Sequence, residues 1–266
     1  MYKDIIGGLT NSANTKKNLL ENSLFKYMVA SVLAGFFIGM GMLIMTLSAS
    51  VFSGLEIPAV KFINGFVFSL ALSFVIFAGG ELFTGNVLVT SIGRLNKKIE
   101  TSTLLKILVF SYIGNLLGSI LISFLFKMTG VSPEYNEALL KLATTKSSFD
   151  FTALLFKGIM CNILVCLAVL ICSRPISDSS KLILIFWCIL AFVSLGFEHS
   201  VANMTCFALT KFLNPEFTFR LILKNLIPVT IGNIIGGLLV AITYYFLGSE
   251  NWNKTRLKIL VLFFLF

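Results

Sequence analysis

Charge is scarce in this chain. Of its 266 residues 12% are charged and 57% apolar, where an ordinary soluble domain has about 25% and about 45–50%. With a mean hydropathy of +0.94, no water-soluble core of this size takes up so much apolar surface. Histidine occurs once, which removes any multi-histidine metal site. No H-E-x-x-H, G-x-S-x-G or G-x-x-x-x-G-K-[ST] pattern occurs, so the machinery of hydrolysis and of ATP use is missing. The five cysteines (161, 166, 172, 188 and 206) are odd in number, sit inside apolar runs and form no C-x-x-C pair. Neither a zinc site nor a disulfide framework is indicated. Five Pro beside 27 Phe exclude a collagen-like or disordered chain. The net charge of +9 does not point to nucleic acid, because the basic residues stand between apolar blocks and not on an aromatic-studded face. No cofactor, no metal and no enzymatic activity are expected.

What is abundant is uncharged sequence in blocks of membrane length. Lys26 to Glu56 encloses 29 uncharged residues, Lys61 to Glu81 19, Lys106 to Lys127 20, Lys157 to Arg174 16, Lys181 to Glu198 16 and Lys224 to Glu250 25. About 20 apolar residues cross a bilayer as a helix, and backbone in lipid must satisfy its own hydrogen bonds. Six spans are predicted, near 27–48, 62–93, 107–126, 150–173, 182–210 and 226–247. The runs do not alternate as β-barrel strands would. Residues 1–26 read as a polar cytoplasmic segment without a cleavable leader, 27–248 as the channel domain, and 249–266 as a cytoplasmic tail whose last eight residues are apolar but too short to span. The stretches 127–150 and 211–225 read as outer loops.

With six spans both termini lie on one side. That side carries 13 Lys/Arg and the other eight, so the positive-inside rule puts both termini in the cytoplasm of an inner, cytoplasmic membrane.

The second and fifth spans are interrupted. Gly79-Gly80-Glu81-Leu82-Phe83-Thr84-Gly85-Asn86 lies over Gly196-Phe197-Glu198-His199-Ser200-Val201-Ala202-Asn203 at an offset of 117. Ile113-Gly114-Asn115 lies over Ile231-Gly232-Asn233 at 118. Two matches at nearly one offset predict a three-plus-three repeat, 27–126 and 150–247. Three spans is an odd number, so the second copy is inverted. Inverted repeats with broken helices at matching positions are an architecture of transport proteins, and irregular backbone at membrane depth must be buried in protein or line a cavity.

The segments Glu81-Leu82-Phe83-Thr84-Gly85-Asn86, Cys161-Asn162-Ile163-Leu164-Val165-Cys166-Leu167-Ala168 and Gly196-Phe197-Glu198-His199-Ser200-Val201-Ala202-Asn203-Met204 resemble the signature segments of the formate/nitrite transporter family, over residues 10–250. Within that family the likeness runs to the clostridial hydrosulfide-channel branch. The resemblance implies an all-α, aquaporin-like six-helix bundle with helices two and five broken, assembled as a homopentamer with one pore per protomer. It implies a passive or proton-linked channel for small monovalent anions, hydrosulfide first and formate or nitrite next. An aquaporin-like pore for neutral solutes is the remote alternative, without the Asn-Pro-Ala boxes of aquaporins.

The polar residues in the blocks are the candidate site. Glu81 and Glu198 are read as structural pins that cap the broken helices, since a carboxylate in the path repels an anion. Asn86 and Asn203, with Asn162, are read as stitches of the same breaks. His199 is the substrate contact: neutral imidazole donates a hydrogen bond, and its pKa also lets it lend a proton. Thr84 supplies a hydroxyl at the other break. By resemblance Lys146 attracts anions in the outer vestibule, with Lys157 its competitor. Leu72, Leu82, Phe83 and Val165 then form an inner apolar constriction, and Phe68 and Phe192 an outer one. Gly35, Gly39 and Gly41 suit close helix approach, here assigned to packing between the five copies.

Overall fold

The computed structural model describes residues 1–53 and 59–248, and among them every regular element is a helix. In order these are α1 (Tyr2–Asn22), α2 (Leu24–Val51), α3 (Val60–Phe68), α4 (Leu70–Phe74), a π-helical turn (Val75–Gly79), α5 (Phe83–Leu95), α6 (Thr101–Met128), α7 (Pro133–Ser148), α8 (Phe151–Cys172), α9 (Asp178–Ser194), α10 (Ser200–Leu213) and α11 (Phe219–Gly248). Among the described residues five stretches are long and apolar enough to cross a membrane: α2, the run Val60–Gly79, α6, α8 and α11. The protein is a multi-pass membrane protein. The expected tail 249–266 lies outside the described residues.

Caps set the helix starts. Ser23, Asp150 and Ser177 each accept the N–H three residues on and begin α2, α8 and α9. Two helices lie where the sequence suggests only connecting segments. α7 falls in the expected loop 127–150; Ser132 caps it, Pro133 occupies its first turn, Glu134 stands near its start and Lys146 in its last turn, each favourable where it stands. α1 falls in the polar N-terminal segment. Its Ile5, Ile6, Leu9 and Ala13 are buried in a cluster with Leu88, Ile92, Leu170 and Tyr245 of α5, α8 and α11. The opposite face of α1 stays polar, which is why no continuous apolar run marks it.

The chain repeats its own plan: α1 to α6 correspond in order to α7 to α11, with α3, α4 and the π turn standing opposite α9. The tight pairs α2–α6 and α8–α11 correspond too. In the first, a Cβ on Gly35 or Gly118 would overlap the carbonyls of Asn115 or Val32. In the second, a Cβ on Gly232 or Gly236 would overlap those of Leu155 or Ile159. Gly39 and Gly41 face Ile122 and Ala71. The close approach expected at Gly35, Gly39 and Gly41 is therefore between helices of one chain, and these residues are not free for contacts between copies.

α7 leads into the start of α8, while α1 packs at its end, where a Cβ on Gly8 would come 2.7 Å from the carbonyl oxygen of Ser173. The 22 residues of α8 span about 33 Å. The two amphipathic helices thus close opposite ends of the bundle, a bilayer apart.

Gly236→Ala is expected to lower folded-state stability by about 1–3 kcal/mol through overpacking. Gly7→Ala, at an exposed helical position with open space around it, is expected to be neutral or slightly stabilising. Thermal melts of the two variants in detergent check the contrast.

Candidate functional site

Two short non-helical stretches face each other across the bundle. Gly79 (φ +83°) turns the chain out of the π turn, and Gly196 (φ +69°) turns it out of α9. Residues with a Cβ are strained at such angles. Gly80 and Leu82 are then extended before α5, and His199 is extended before α10. The stretches leave backbone groups without helical partners in an apolar setting, and the repeat satisfies both sets alike. Asn115 Oδ1 accepts the Phe83 N–H at 2.9 Å while its Nδ2 donates to the carbonyls of Ser31 (2.7 Å) and Glu81 (2.9 Å). Asn233 Oδ1 accepts the Ser200 N–H at 2.9 Å while its Nδ2 donates to the carbonyls of Gly158 (2.8 Å) and Glu198 (3.0 Å). The Glu81 N–H donates to the Ala30 carbonyl and the Glu198 N–H to the Lys157 carbonyl. Asn115 and Asn233 lie in the second repeat match, so the signal for them was in the sequence, without an indication of which groups they serve.

The two glutamates do not accept from these helix ends. Glu81 takes the Lys16 ammonium at 2.8 Å on both oxygens, and Asn86 Nδ2 donates to it at 3.1 Å. Glu198 takes the Lys146 ammonium at 3.0 and 3.1 Å, and Asn203 Nδ2 donates at 2.6 Å. All four charges are largely buried, with the Glu198 side chain 5% exposed and the Glu81 side chain 12%. Because the asparagines already hold the free N–H groups, each carboxylate is left to an ammonium, and α1 and α7 supply it. Lys16 is the counterpart of Lys146. It was not legible: Lys16 precedes Glu81 by 65 residues and Lys146 precedes Glu198 by 52, so no constant offset links them.

His199 is 3% exposed and caps α10. Its Nδ1 accepts the Ala202 N–H at 3.2 Å, and its Nε2 lies 3.0 Å from Thr84 Oγ1. An Nδ1 that accepts has no proton, so this pattern assigns the neutral tautomer with the proton on Nε2, donated to Thr84. A second proton would have to go onto Nδ1 and displace the Ala202 N–H. The ring stacks on Phe192, centroids 6.2 Å apart. Asn162 Nδ2 bridges the Thr84 carbonyl, at 3.2 Å, and the Asn233 carbonyl, tying the start of α5 to α11.

Three cavities lie along this line. One of about 300 Å³ opens beside α1 and is lined by Lys16, Gly79, Gly80, Glu81, Asn86, Leu72 and Leu82 among others. One of about 370 Å³ opens beside α7, with Lys61, Lys146, Lys157, Glu198, His199, Asn203, Phe68 and Phe192 in its wall. Between them is a chamber of about 10 Å³, lined by Ile38, Phe68, Leu72, Leu82, Val165, Ile189, Phe192 and His199. Leu72 and Leu82 belong to both the α1 mouth and the chamber, and Phe68, Phe192 and His199 to both the chamber and the α7 mouth. They are the partitions. Two of the pore candidates, Phe83 and Thr84, line none of these three cavities; Phe83 sets its ring edge-on against Tyr112, centroids 4.9 Å apart. Thr84 is fully buried and meets the chamber only through His199. Ile38 and Ile189 are chamber residues that the sequence did not single out; both lie in apolar runs without a distinguishing neighbour.

Residues 3–247 match the family described as formate/nitrite transporter. The nitrite transporter NirC of Salmonella typhimurium is 36% identical over 261 residues, 96% of this chain and 93% of that protein. A probable formate transporter of Methanothermobacter thermautotrophicus is 35% identical over 84% of this chain and 89% of its own length. Among solved structures, an FNT family ion channel superposes with a TM-score of 0.85 at 32% identity, covering 93% of this chain and 99% of that one. A pentameric formate channel with formate bound gives 0.75 at 30% identity, covering 84% and 96%.

Glu198→Gln is expected to cost about 3–5 kcal/mol by stranding a buried ammonium, and the double variant Glu198→Gln/Lys146→Met less than the single one. A double-mutant cycle on detergent melts reads the coupling; strictly additive losses would show that the pair does not act as a unit.

Proposed function

Because the chain belongs to the formate/nitrite transporter family, whose members are transporters and channels and not enzymes, we propose that it is a passive channel for small monovalent anions of weak acids. In this reading α3, α4, the π turn and α5 form one interrupted crossing and α9 with α10 another, which with α2, α6, α8 and α11 makes six. The repeat units are 27–126 and 150–247. Both termini, with the α1 mouth, face the cytoplasm of the inner membrane, and the α7 mouth faces out. The relative that is a pentameric formate channel supports a homopentamer with one pore per copy, its apolar outer faces against lipid and neighbouring copies.

The observation that carries the reading is the chamber. Its volume, about 10 Å³, suits about one water, and seven of its eight lining residues are apolar, with His199 the polar one. A strongly hydrated ion entering it sheds water with little return, whereas a weakly hydrated or transiently protonated one loses less. His199 is a hydrogen-bond donor to the anion through Nε2, in competition with Thr84, and stays neutral because its Nδ1 is committed to Ala202. Leu72, Leu82 and Val165 on one side and Phe68 and Phe192 on the other make the constriction. Of the three anions expected from the sequence, the names of the relatives lean slightly to nitrite and formate; hydrosulfide is kept as the third.

Stopped-flow uptake into proteoliposomes tests this. Formate and nitrite are expected to cross without ATP far faster than chloride and faster than into empty vesicles. No flux above empty vesicles for formate, nitrite or hydrosulfide would overturn the reading, and neutral-solute permeation without anion flux would replace it with an aquaporin-like pore.

Asparagine at 199 retains an acceptor for the Ala202 N–H and removes the Nε2 donor. His199→Asn is therefore expected to slow flux on the order of tenfold, the worth of one hydrogen bond to a charged group, with the pH profile unchanged in shape. A flattened profile would mean that the imidazole gives its proton to the anion.

A further inference from the structure

The two asparagines that hold the helix starts each have a hydroxyl one turn before them. Tyr112 precedes Asn115 by three residues on α6, and Thr230 precedes Asn233 by three on α11, so each pair shares a helix face. Tyr112 and Thr230 are themselves repeat mates, 118 positions apart, and their hydroxyl oxygens lie 3.1 Å from each other. Equivalent positions that touch lie close to the axis relating the two repeats. Both residues are half-buried, and the next residues along, Ile113 and Ile231, are 43% and 41% exposed. The pair therefore closes the bundle near its outer face, where an unpaired hydroxyl would meet hydrocarbon.

Two chains of contact run inward from it. On one side the Tyr112 ring bears on Phe83, centroids 4.9 Å apart, and Asn115 holds the Phe83 N–H; Thr84 is the next residue. On the other side Asn233 of α11 holds the Ser200 N–H; His199 is the residue before. Phe83 and Ser200 are again repeat mates, at an offset of 117. The spacing of α6 and α11 at Tyr112 and Thr230 is thus carried to Thr84 and His199, whose side chains meet at 3.0 Å. That contact has little slack. A hydroxyl pair at 3.1 Å is closer than a van der Waals contact by about half an ångström. A change of about that size takes a hydrogen bond of 3.0 Å out of the usual range.

We propose that Tyr112 and Thr230 are positioning residues: their hydroxyl pair sets the spacing of the two asparagine clamps, and through it the contact between Thr84 and His199. The consequence for transport, a chamber that keeps its width and its discrimination between anions, rests on the channel reading above. The consequence for His199 does not.

The test uses the single histidine of the chain. Full-length protein in nanodiscs, made with isotope-labelled histidine, gives one imidazole signal by nuclear magnetic resonance. Tyr112→Phe keeps the ring against Phe83 and removes the hydroxyl. It is expected to move the His199 Nε2 proton resonance upfield, as a weakened hydrogen bond does, and to lower the formate-to-chloride uptake ratio several-fold. Thr230→Val is expected to do the same, and the double variant no more than either single one. Thr230→Ser, which keeps a hydroxyl, is expected to leave both readouts near those of the unmodified protein. Tyr135→Phe removes a different tyrosine hydroxyl, one that donates to the Leu43 carbonyl at 3.0 Å between α7 and α2, and is expected to leave the resonance in place. Should one of Tyr112→Phe and Thr230→Val fail to fold, the other decides the point. A resonance unmoved by these two variants, or moved equally by Tyr135→Phe, would overturn the proposal. Absence of anion flux in the unmodified protein overturns the channel reading instead, and the resonance still decides the positioning role.

Discussion

Backbone polarity in an apolar medium is the constraint on which this structure turns. Each helix break at Gly79 and Gly196 frees N–H and C=O groups in an apolar setting, and an unsatisfied group there costs several kcal/mol. One asparagine per repeat, Asn115 or Asn233, takes an N–H on its oxygen and two carbonyls on its nitrogen. These two side chains hold the starts of α5 and α10 in place. The position of His199 follows: it is the cap of α10, and the cap geometry commits one ring nitrogen to Ala202 and aims the other at Thr84.

The ion pairs are a second layer on the same frame. Lys16–Glu81 and Lys146–Glu198 join the amphipathic helices α1 and α7 to the two irregular stretches. Each cancels the charge that the stretch would otherwise place in the wall of a mouth. The carboxylates therefore sit in the mouths without setting their sign. Between the mouths the wall is apolar apart from His199, and in the proposed channel discrimination would rest on dehydration more than on charge.

Much of this was written in the sequence, and what was not has a physical reason. Uncharged blocks mark the long helices because lipid admits no other composition. The offset of 117 aligns the positive-φ glycines 79 and 196, Glu81 with Glu198 and Asn86 with Asn203, since those residues solve one backbone problem twice. Helices α1 and α7 escaped because a helix lying on the end of a bundle needs only an apolar stripe, which their polar composition hides. The Lys16 partnership escaped because different spacings precede the two breaks. Phe83 was placed in the constriction by the family resemblance, yet the first residue of α5 turns towards Tyr112, a direction that follows the preceding extended residues and that no spacing rule conveys.

The central claim is that anions pass through the protomer at His199, in the chamber between Leu72, Leu82, Phe68 and Phe192. An experimental structure of the assembled protein soaked in nitrite tests it most directly. The account predicts an anion within hydrogen-bond distance of His199 Nε2, in line with the α1 and α7 mouths. An anion held instead between copies of the chain, with the chamber empty, would contradict it.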